Sequence, residues 1–283
     1  MLLVVGTITH GSAVAQTPAE VPGDDIFGFT TPTDVGKAGD NAVSSENNGR
    51  AGKRIERFFS ITSKTELSRT LDDDTWGAVS LFNSYYRIAG QPDVDRNFVA
   101  FDGLSFELER RVLRRSADNP FAVSLSVEPR WARIDPGSGQ RAEAFGIEGK
   151  VFVDAAIVRD KVYWAMNLNY LPAVQRPNSP EAKWTAVSGT SVSTALTYAW
   201  SSRFFTGVEA RYLAAFDNAF LRQLTGSALF FGPTALWKIS DTAALNVVWT
   251  PQIVGRSQVS RNGTLDLDNF ERQQFRVKLT VQF

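Results

Sequence analysis

Charged side chains recur at every second position in several stretches of this 283-residue chain. Glu107, Glu109 and Arg111 form one such run, and Arg276 with Lys278 forms another. Alternate residues of a β-strand share one face, so each run would place its charges in one row. Such rows can line a pore and set which solutes pass. The residues predicted to line a lumen in this way are Lys64, Glu66, Glu107, Glu109, Arg111, Glu128, Arg130, Glu148, Lys150, Glu209, Arg211, Arg276 and Lys278.

The same charges have a second interpretation that involves no solute. Carboxylates and bases at similar heights on neighbouring strands can pair across the ladder and brace the sheet. The desolvation cost of such pairs is modest where water reaches them. Pore lining and bracing therefore both remain open at this point.

Catalysis is the other chemistry that these residues suggest. The single histidine, His10, lies in the apolar N-terminal stretch, so the rest of the chain has no imidazole to activate a serine or act as a base. A carboxylate pair such as Glu107 and Glu109 stays open as an alternative, although nothing in a wet lumen need perturb either group. Asp72–Asp74 offers oxygen ligands, but no EF-type spacing follows. We expect no enzymatic activity, no cofactor and no metal.

Composition narrows the class of protein. The chain has 30 basic and 30 acidic residues, and nucleic-acid binding normally requires a basic face. It has no cysteine and therefore no disulfide, and it is rich in aromatic residues, with 20 Phe and 7 Trp. These features predict a sheet-rich protein that is stabilised without covalent cross-links.

The N-terminus carries an export pattern. An apolar stretch runs into Ala13-Val14-Ala15, which fits an A-x-A cleavage site. We therefore predict a signal peptide over residues 1–15 with cleavage before Gln16; a buried apolar N-terminal strand is the alternative. No later run of about 18 apolar residues follows, so no transmembrane helix is expected.

The hydrophobic period is two along most of the chain, which predicts an all-β fold. Residues 16–283 are predicted to form one domain, an antiparallel up-and-down barrel of about twelve strands. The first strand is predicted at 24–36, and 37–53 is predicted to be a long external loop or a plug. The remaining strands are predicted at 54–71, 75–87, 97–115, 121–134, 141–158, 161–174, 183–199, 203–214, 222–239, 243–255 and 267–283.

Short and long connections alternate between these strands, as they do in transmembrane barrels with short periplasmic turns and longer outer loops. About twelve strands enclose a lumen that aliphatic side chains cannot easily fill, which favours a polar face inside and an apolar face toward lipid. Aromatic residues near strand ends suit interfacial girdles; they include Phe121, Tyr170, Tyr198, Trp200, Trp237 and Phe283.

The chain ends "FRVKLTVQF", in which Phe275, Val277, Leu279, Val281 and Phe283 alternate with polar residues. This ending resembles the C-terminal recognition signal of Gram-negative outer-membrane β-barrels. The resemblance implies residence in the outer membrane and insertion by the barrel-assembly machinery. Two stretches, "DIFGFTTPTDVG" and "DNFERQQFRVKL", are similar to a largely uncharacterised group of proteobacterial outer-membrane proteins, a similarity that implies no particular activity.

These observations together predict a porin-like channel for passive diffusion of small hydrophilic solutes. Its expected partners are outer-membrane lipid, lipopolysaccharide, the assembly machinery and an unidentified solute. The alternative is a non-conducting structural or interaction barrel whose lumen is closed by salt bridges or by residues 37–53.

Overall fold

The computed structural model describes residues 20–23, 25–54, 57–90, 95–116 and 118–283. Twelve antiparallel strands form a closed barrel in which each strand pairs with its sequence neighbours, and β1 pairs with β12. The strands are β1 (Asn41–Ala51), β2 (Arg57–Asp72), β3 (Thr75–Ala89), β4 (Arg96–Leu113), β5 (Phe121–Ile134), β6 (Arg141–Val158), β7 (Val162–Pro177), β8 (Thr185–Ala199), β9 (Phe204–Phe216), β10 (Leu224–Lys238), β11 (Ala243–Ser257) and β12 (Gln273–Gln282). The predicted all-β up-and-down barrel is confirmed.

No helix among the described residues is long and apolar enough to cross a membrane. The predicted signal peptide, residues 1–15, lies outside the described residues.

The first strand was predicted in the wrong place. Of the predicted range 24–36, the described residues 25–36 pair with no strand, and β1 instead occupies Asn41–Ala51, inside the predicted loop 37–53. The outward positions of β1 include Ser45 and Asn47, so the strand lacks the apolar alternation that marks the others. The segment 24–36 does carry apolar residues, but Gly28 and Gly36 adopt positive φ angles there, which breaks an extended conformation.

The two ends of the barrel differ. At the turn rim lie the start of β1, the C-terminus and the ends of the strands that are joined by 73–74, 114–120, 159–161, 200–203 and 239–242. At the loop rim lie the ends of the strands that are joined by 52–56, 90–95, 135–140, 178–184, 217–223 and 258–272. The predicted alternation of short and long connections therefore holds, except that 114–120 is at least as long as five of the six connections of the loop rim.

The exterior is apolar, and the interior holds the charged side chains together with two apolar clusters. On β12, Val277, Leu279 and Val281 point outward and are about 40% exposed, while Arg276, which precedes them, points inward and is buried. Aromatic side chains are exposed on the outer surface at the turn rim: Phe121, Tyr198, Trp200, Trp237 and Phe283. Tyr170 differs from that prediction, because it lies within β7 and donates a hydrogen bond to the Ala219 carbonyl oxygen.

Closure of the barrel depends on the β1–β12 seam. Ten residue pairs join these strands, from Ala42 with Gln282 to Ala51 with Gln273. The Phe275 ring covers Gly49 on the neighbouring strand, where a Cβ atom would overlap the ring, and it stacks on Phe59 of β2 at 6.2 Å. An aromatic ring over a strand glycine fills the space that the missing side chain leaves.

A side chain at position 49 should therefore weaken the seam. Gly49→Val would displace the Phe275 ring and cost about 1–3 kcal/mol, as overpacking typically does. The control is Gly149→Val, because a Cβ atom at Gly149 meets nothing within 4 Å. The measurement is the temperature at which the folded, fast-migrating band is lost on a detergent gel. We expect a lower temperature for Gly49→Val than for Gly149→Val; equal values would contradict this account of the seam.

Candidate functional site

Residues 20–23 and 25–36, called here the lumen segment, lie inside the barrel. Its apolar residues Val21, Ile26 and Phe27 are buried against the inner wall. That part of the wall is made of Tyr163, Ala165, Ala195, Ala199, Phe205, Leu236 and Ala244. The small alanines on β7, β8 and β11 leave room for the segment, and both surfaces are thereby removed from water.

Glu209 of β9 is the main polar anchor of the lumen segment. Its fully buried carboxylate accepts hydrogen bonds from the Phe29 amide at 2.9 Å, the Thr30 amide at 2.7 Å and the Thr30 hydroxyl at 2.7 Å. The Thr30 hydroxyl also lies 2.9 Å from the Ser193 hydroxyl. Charge-assisted hydrogen bonds of this kind offset the cost of burying the carboxylate.

The chain passes Glu209 closely because residue 28 is glycine. Gly28 has φ 107°, and a Cβ atom there would lie 2.5 Å from a Glu209 carboxylate oxygen. The Gly28 carbonyl oxygen accepts a hydrogen bond from Arg276. The guanidinium groups of Arg211 and Arg276 lie 3.8 Å and 5.3 Å from the centre of the Phe29 ring, so both cations face the segment.

The rest of the segment is also held by side chains of the wall. Asp154 accepts hydrogen bonds from the Thr33 amide at 2.7 Å and from the Thr33 hydroxyl at 3.0 Å. Lys278 pairs with Asp25 at 2.5 Å, and Arg111 pairs with Asp34 at 3.3 Å. The segment is thus attached along its length, mostly to strands β5 to β12.

A central cavity of about 410 Å³ remains between the lumen segment and the opposite wall. Its lining includes Phe29, Thr31 and Asp34 of the segment together with inner residues of β1 to β6. It also includes Asp40 and Gln282, which lie at the turn rim, so the cavity reaches that end of the barrel.

One side of the cavity is acidic. We call it the acidic wall and define it as Lys64, Glu66, Glu107, Glu109, Glu128, Glu148 and Lys150. Lys150 lies 2.8 Å from Glu107 and 3.7 Å from Glu148, and it also bonds to Glu128. Lys64 lies 2.6 Å from Glu66 and 3.9 Å from Glu107. Two lysines thus form salt bridges with four carboxylates.

Side chains fill the lumen at the loop rim. Arg50 and Lys53 form salt bridges with Glu271 at 3.4 Å and 3.8 Å. Gln252 donates hydrogen bonds to the carbonyl oxygens of Asp266 and Glu271. These contacts hold the connection 258–272 against the inner wall. Beside them, Phe58, Tyr86, Ile88 and Ile134 form a buried apolar cluster. Within the described residues, none of these side chains lines the cavity, which therefore ends below them.

The structure brings the predicted charged residues together inside the barrel. Eleven of the thirteen line the cavity: Lys64, Glu66, Glu107, Glu109, Glu128, Arg130, Glu148, Lys150, Arg211, Arg276 and Lys278. The other two contact the lumen segment, since Glu209 anchors Phe29 and Thr30, and Arg111 pairs with Asp34. Many of the charges pair, as the bracing interpretation anticipated.

Sequence reasoning missed several inner residues, among them Asp25, Glu46 and Trp76, which line the cavity, and Asp154, which holds Thr33. The sequence does contain one indication that a segment lies inside the barrel. Inward positions of β7 to β9 carry Tyr163, Ala165, Ala195 and Phe205 instead of polar residues, which indicates that something apolar covers them.

The Asp72–Asp74 turn is part of a salt-bridge network at the turn rim. Asp74 pairs with Arg114 at 2.6 Å and with Arg111 at 3.2 Å. The hydrogen bond from the Arg114 guanidinium lowers the pKa of the Asp74 carboxyl below its usual value. Among the described residues, no group of three or more His, Cys, Asp or Glu side chains has the arrangement of a metal site.

The family model of DUF6662, a family of unknown function, matches residues 19–283, and the chain therefore belongs to that family. No curated protein matches the chain. An outer-membrane channel from Pseudomonas putida F1 has a similar structure, with a TM-score of 0.58 and 10% identity over 89% of this chain and 98% of that one. The NanC porin gives a TM-score of 0.52 and 9% identity over 84% of this chain and 98% of that one. At these identities the similarity establishes a shared barrel fold.

Loss of the Glu209 carboxylate should release the lumen segment. Glu209→Ala removes three hydrogen bonds to Phe29 and Thr30. We expect amide hydrogen exchange at these two residues to accelerate about tenfold or more, because hydrogen bonds to charged groups each contribute about 1.5–3 kcal/mol. The control is Glu148→Ala, which alters the acidic wall at a side chain that pairs with Lys150. Unchanged exchange in Glu209→Ala would show that Glu209 does not anchor the segment.

Proposed function

We propose that this member of the DUF6662 family is an outer-membrane channel that passes small hydrophilic solutes by passive diffusion. The observation that carries the proposal is the cavity of about 410 Å³, lined by charged side chains inside a closed barrel and continuous with the turn rim. A wet, charged lumen is what a diffusion pore requires. The two similar structures are, by their names, a porin and an outer-membrane channel.

The outer surface supports the membrane location. Val277, Leu279 and Val281 are exposed on β12, and Phe283 at the chain end is 70% exposed. An apolar band with aromatic residues at the rim fits a bilayer and its interfaces. We assign the turn rim to the periplasm, because short turns lie on that side in bacterial barrels.

Biogenesis belongs to the same proposal. Residues 1–15 would direct export, and the outward row from Phe275 to Phe283 would be recognised by the barrel-assembly machinery. In the membrane, the apolar exterior would contact lipid, and the loop rim would face lipopolysaccharide.

Passage of a solute requires the lumen segment to move, and it also requires movement of the side chains that fill the lumen at the loop rim. The segment pairs with no strand and precedes β1, so it can leave the lumen without breaking the β-ladder. Its attachments are hydrogen bonds, salt bridges and one apolar contact surface. We therefore propose that the segment narrows the channel in the closed state and that its displacement opens a wider path.

The second candidate function is a non-conducting structural or interaction barrel. The occupied lumen and the packed side chains at the loop rim favour it. The segment that would close such a barrel is 20–36 and not the predicted 37–53, because Asn41–Ala51 is a strand of the wall.

Conductance in planar bilayers separates the two candidates. We expect small currents from the intact protein and currents at least several-fold larger from a variant that lacks residues 20–36, because the deletion widens the lumen. A detergent gel with unheated and heated samples checks that both proteins are folded. If neither folded protein carries current at any voltage, the channel function is refuted and the non-conducting barrel is supported.

A further inference from the structure

We propose that the acidic wall binds small organic cations through a primary ammonium group, with Glu109 as the principal ligand and Trp76 beside it. The inference rests on the proposed function in that it names the solute class for the same cavity. The binding site itself, however, can be tested without any measurement of transport.

The acidic wall carries an excess of negative charge. It contains five carboxylates and two ammonium groups, which leaves a formal charge of −3 (5 − 2 = 3) when all are ionised. Arg130 also lines the cavity, next to Glu128 on β5, and pairs with Asp102 at 3.8 Å. The facing side of the cavity carries Arg211, Arg276 and Lys278, two of which pair with Glu46 and Asp25. A cation that enters the cavity is therefore drawn to the acidic wall, and an anion is repelled from it.

Glu109 differs from the other carboxylates of the acidic wall. Glu66, Glu107, Glu128 and Glu148 each pair with Lys64 or Lys150. Glu109 makes no salt bridge within the described part of the chain, its Oε1 atom has no hydrogen-bond partner there, and the side chain is only 5% exposed. Burial of a carboxylate oxygen without a hydrogen-bond partner is costly, and a donor from a bound ammonium group would offset that cost.

The neighbours of Glu109 favour an ammonium group with an alkyl chain. Glu109 on β4 is directly opposite Trp76 on the neighbouring strand β3 and directly opposite Ser126 on the neighbouring strand β5. Trp76 also lines the cavity, so an ammonium ion at Glu109 can lie against an indole ring. Divalent metal ions require several oxygen ligands at once, whereas the other carboxylates nearby are already engaged by lysine.

The size and position of the cavity fit such a ligand. A volume of about 410 Å³ suits a small molecule and excludes a folded polymer. Glu109 and Trp76 lie near the turn-rim ends of β4 and β3, and the cavity that they line also includes Asp34 and Asp40. A cation entering from the turn rim would therefore reach Glu109 before it meets the lysines of the acidic wall.

The test is isothermal titration of the purified protein in detergent with putrescine (1,4-diaminobutane), and with 1,4-butanediol as its neutral analogue. We expect binding of putrescine and none of the diol. Glu109→Gln keeps the shape of the side chain and removes its charge, so putrescine should bind about tenfold more weakly or not at all. The matched control is Glu143→Gln, since Glu143 pairs with Arg176 at 2.9 Å near the loop rim and does not line the cavity. The Glu143→Gln variant should bind putrescine with the same affinity as the unaltered protein.

The outcomes separate the site from the channel. Equal affinity of Glu109→Gln and the unaltered protein, or no binding of putrescine to either, would overturn the ammonium site and leave conductance untouched. Binding that depends on Glu109 in a protein that carries no current would uphold the site and refute the channel. In a conducting protein, we also expect Glu109→Gln to lower the preference for potassium over chloride, measured from the reversal potential in a salt gradient.

Discussion

The buried carboxylate of Glu209 is the constraint on which the rest of the lumen depends. A charge in that position requires hydrogen-bond donors, and the backbone and hydroxyl of the lumen segment supply them. The close approach in turn requires glycine at position 28, whose carbonyl oxygen faces Arg276. Together with the contacts of Asp154 and Lys278, this carboxylate fixes the path of the lumen segment, and that path decides how much of the lumen stays open.

The lumen segment divides the interior into two unlike halves. On the side of β7 to β11 it is packed against an apolar surface of small side chains, and this half resembles the core of a soluble protein. On the side of β1 to β6 it leaves a cavity with an acidic wall. A twelve-stranded barrel is too wide to be filled by its own side chains. The lumen segment therefore fills one half of the interior, and a polar cavity remains in the other half.

The sequence was most informative where the strand period is strongest. For Phe275 to Phe283 and the strands from β2 to β11, alternation identified the strands and separated outward from inward residues, because burial of one face imposes a period of two. Alternation did not identify β1, because Ser45 and Asn47 lie on its outward face and are polar, so the strand has no apolar face in the sequence. It failed also at 24–36, where Ile26, Phe27 and Phe29 look like a strand but pack inside the lumen. The neighbours of Glu109 depend on which strands pair, and the hydrogen-bond partners of Glu209 depend on the path of the lumen segment. Local periodicity predicts neither the strand pairing nor that path.

The central claim is that displacement of the lumen segment opens the barrel, and a reversible cross-link tests it most directly. The hydroxyl groups of Thr30 and Ser193 are 2.9 Å apart, and the chain has no cysteine of its own, so a Thr30→Cys, Ser193→Cys variant can form one disulfide between the segment and β8. Conductance of this variant is measured in planar bilayers under oxidising conditions and again after reduction. The account predicts small or no current while the disulfide holds the segment in the lumen, and larger current after reduction. Equal current in both states, with the disulfide verified by mass spectrometry, would contradict it.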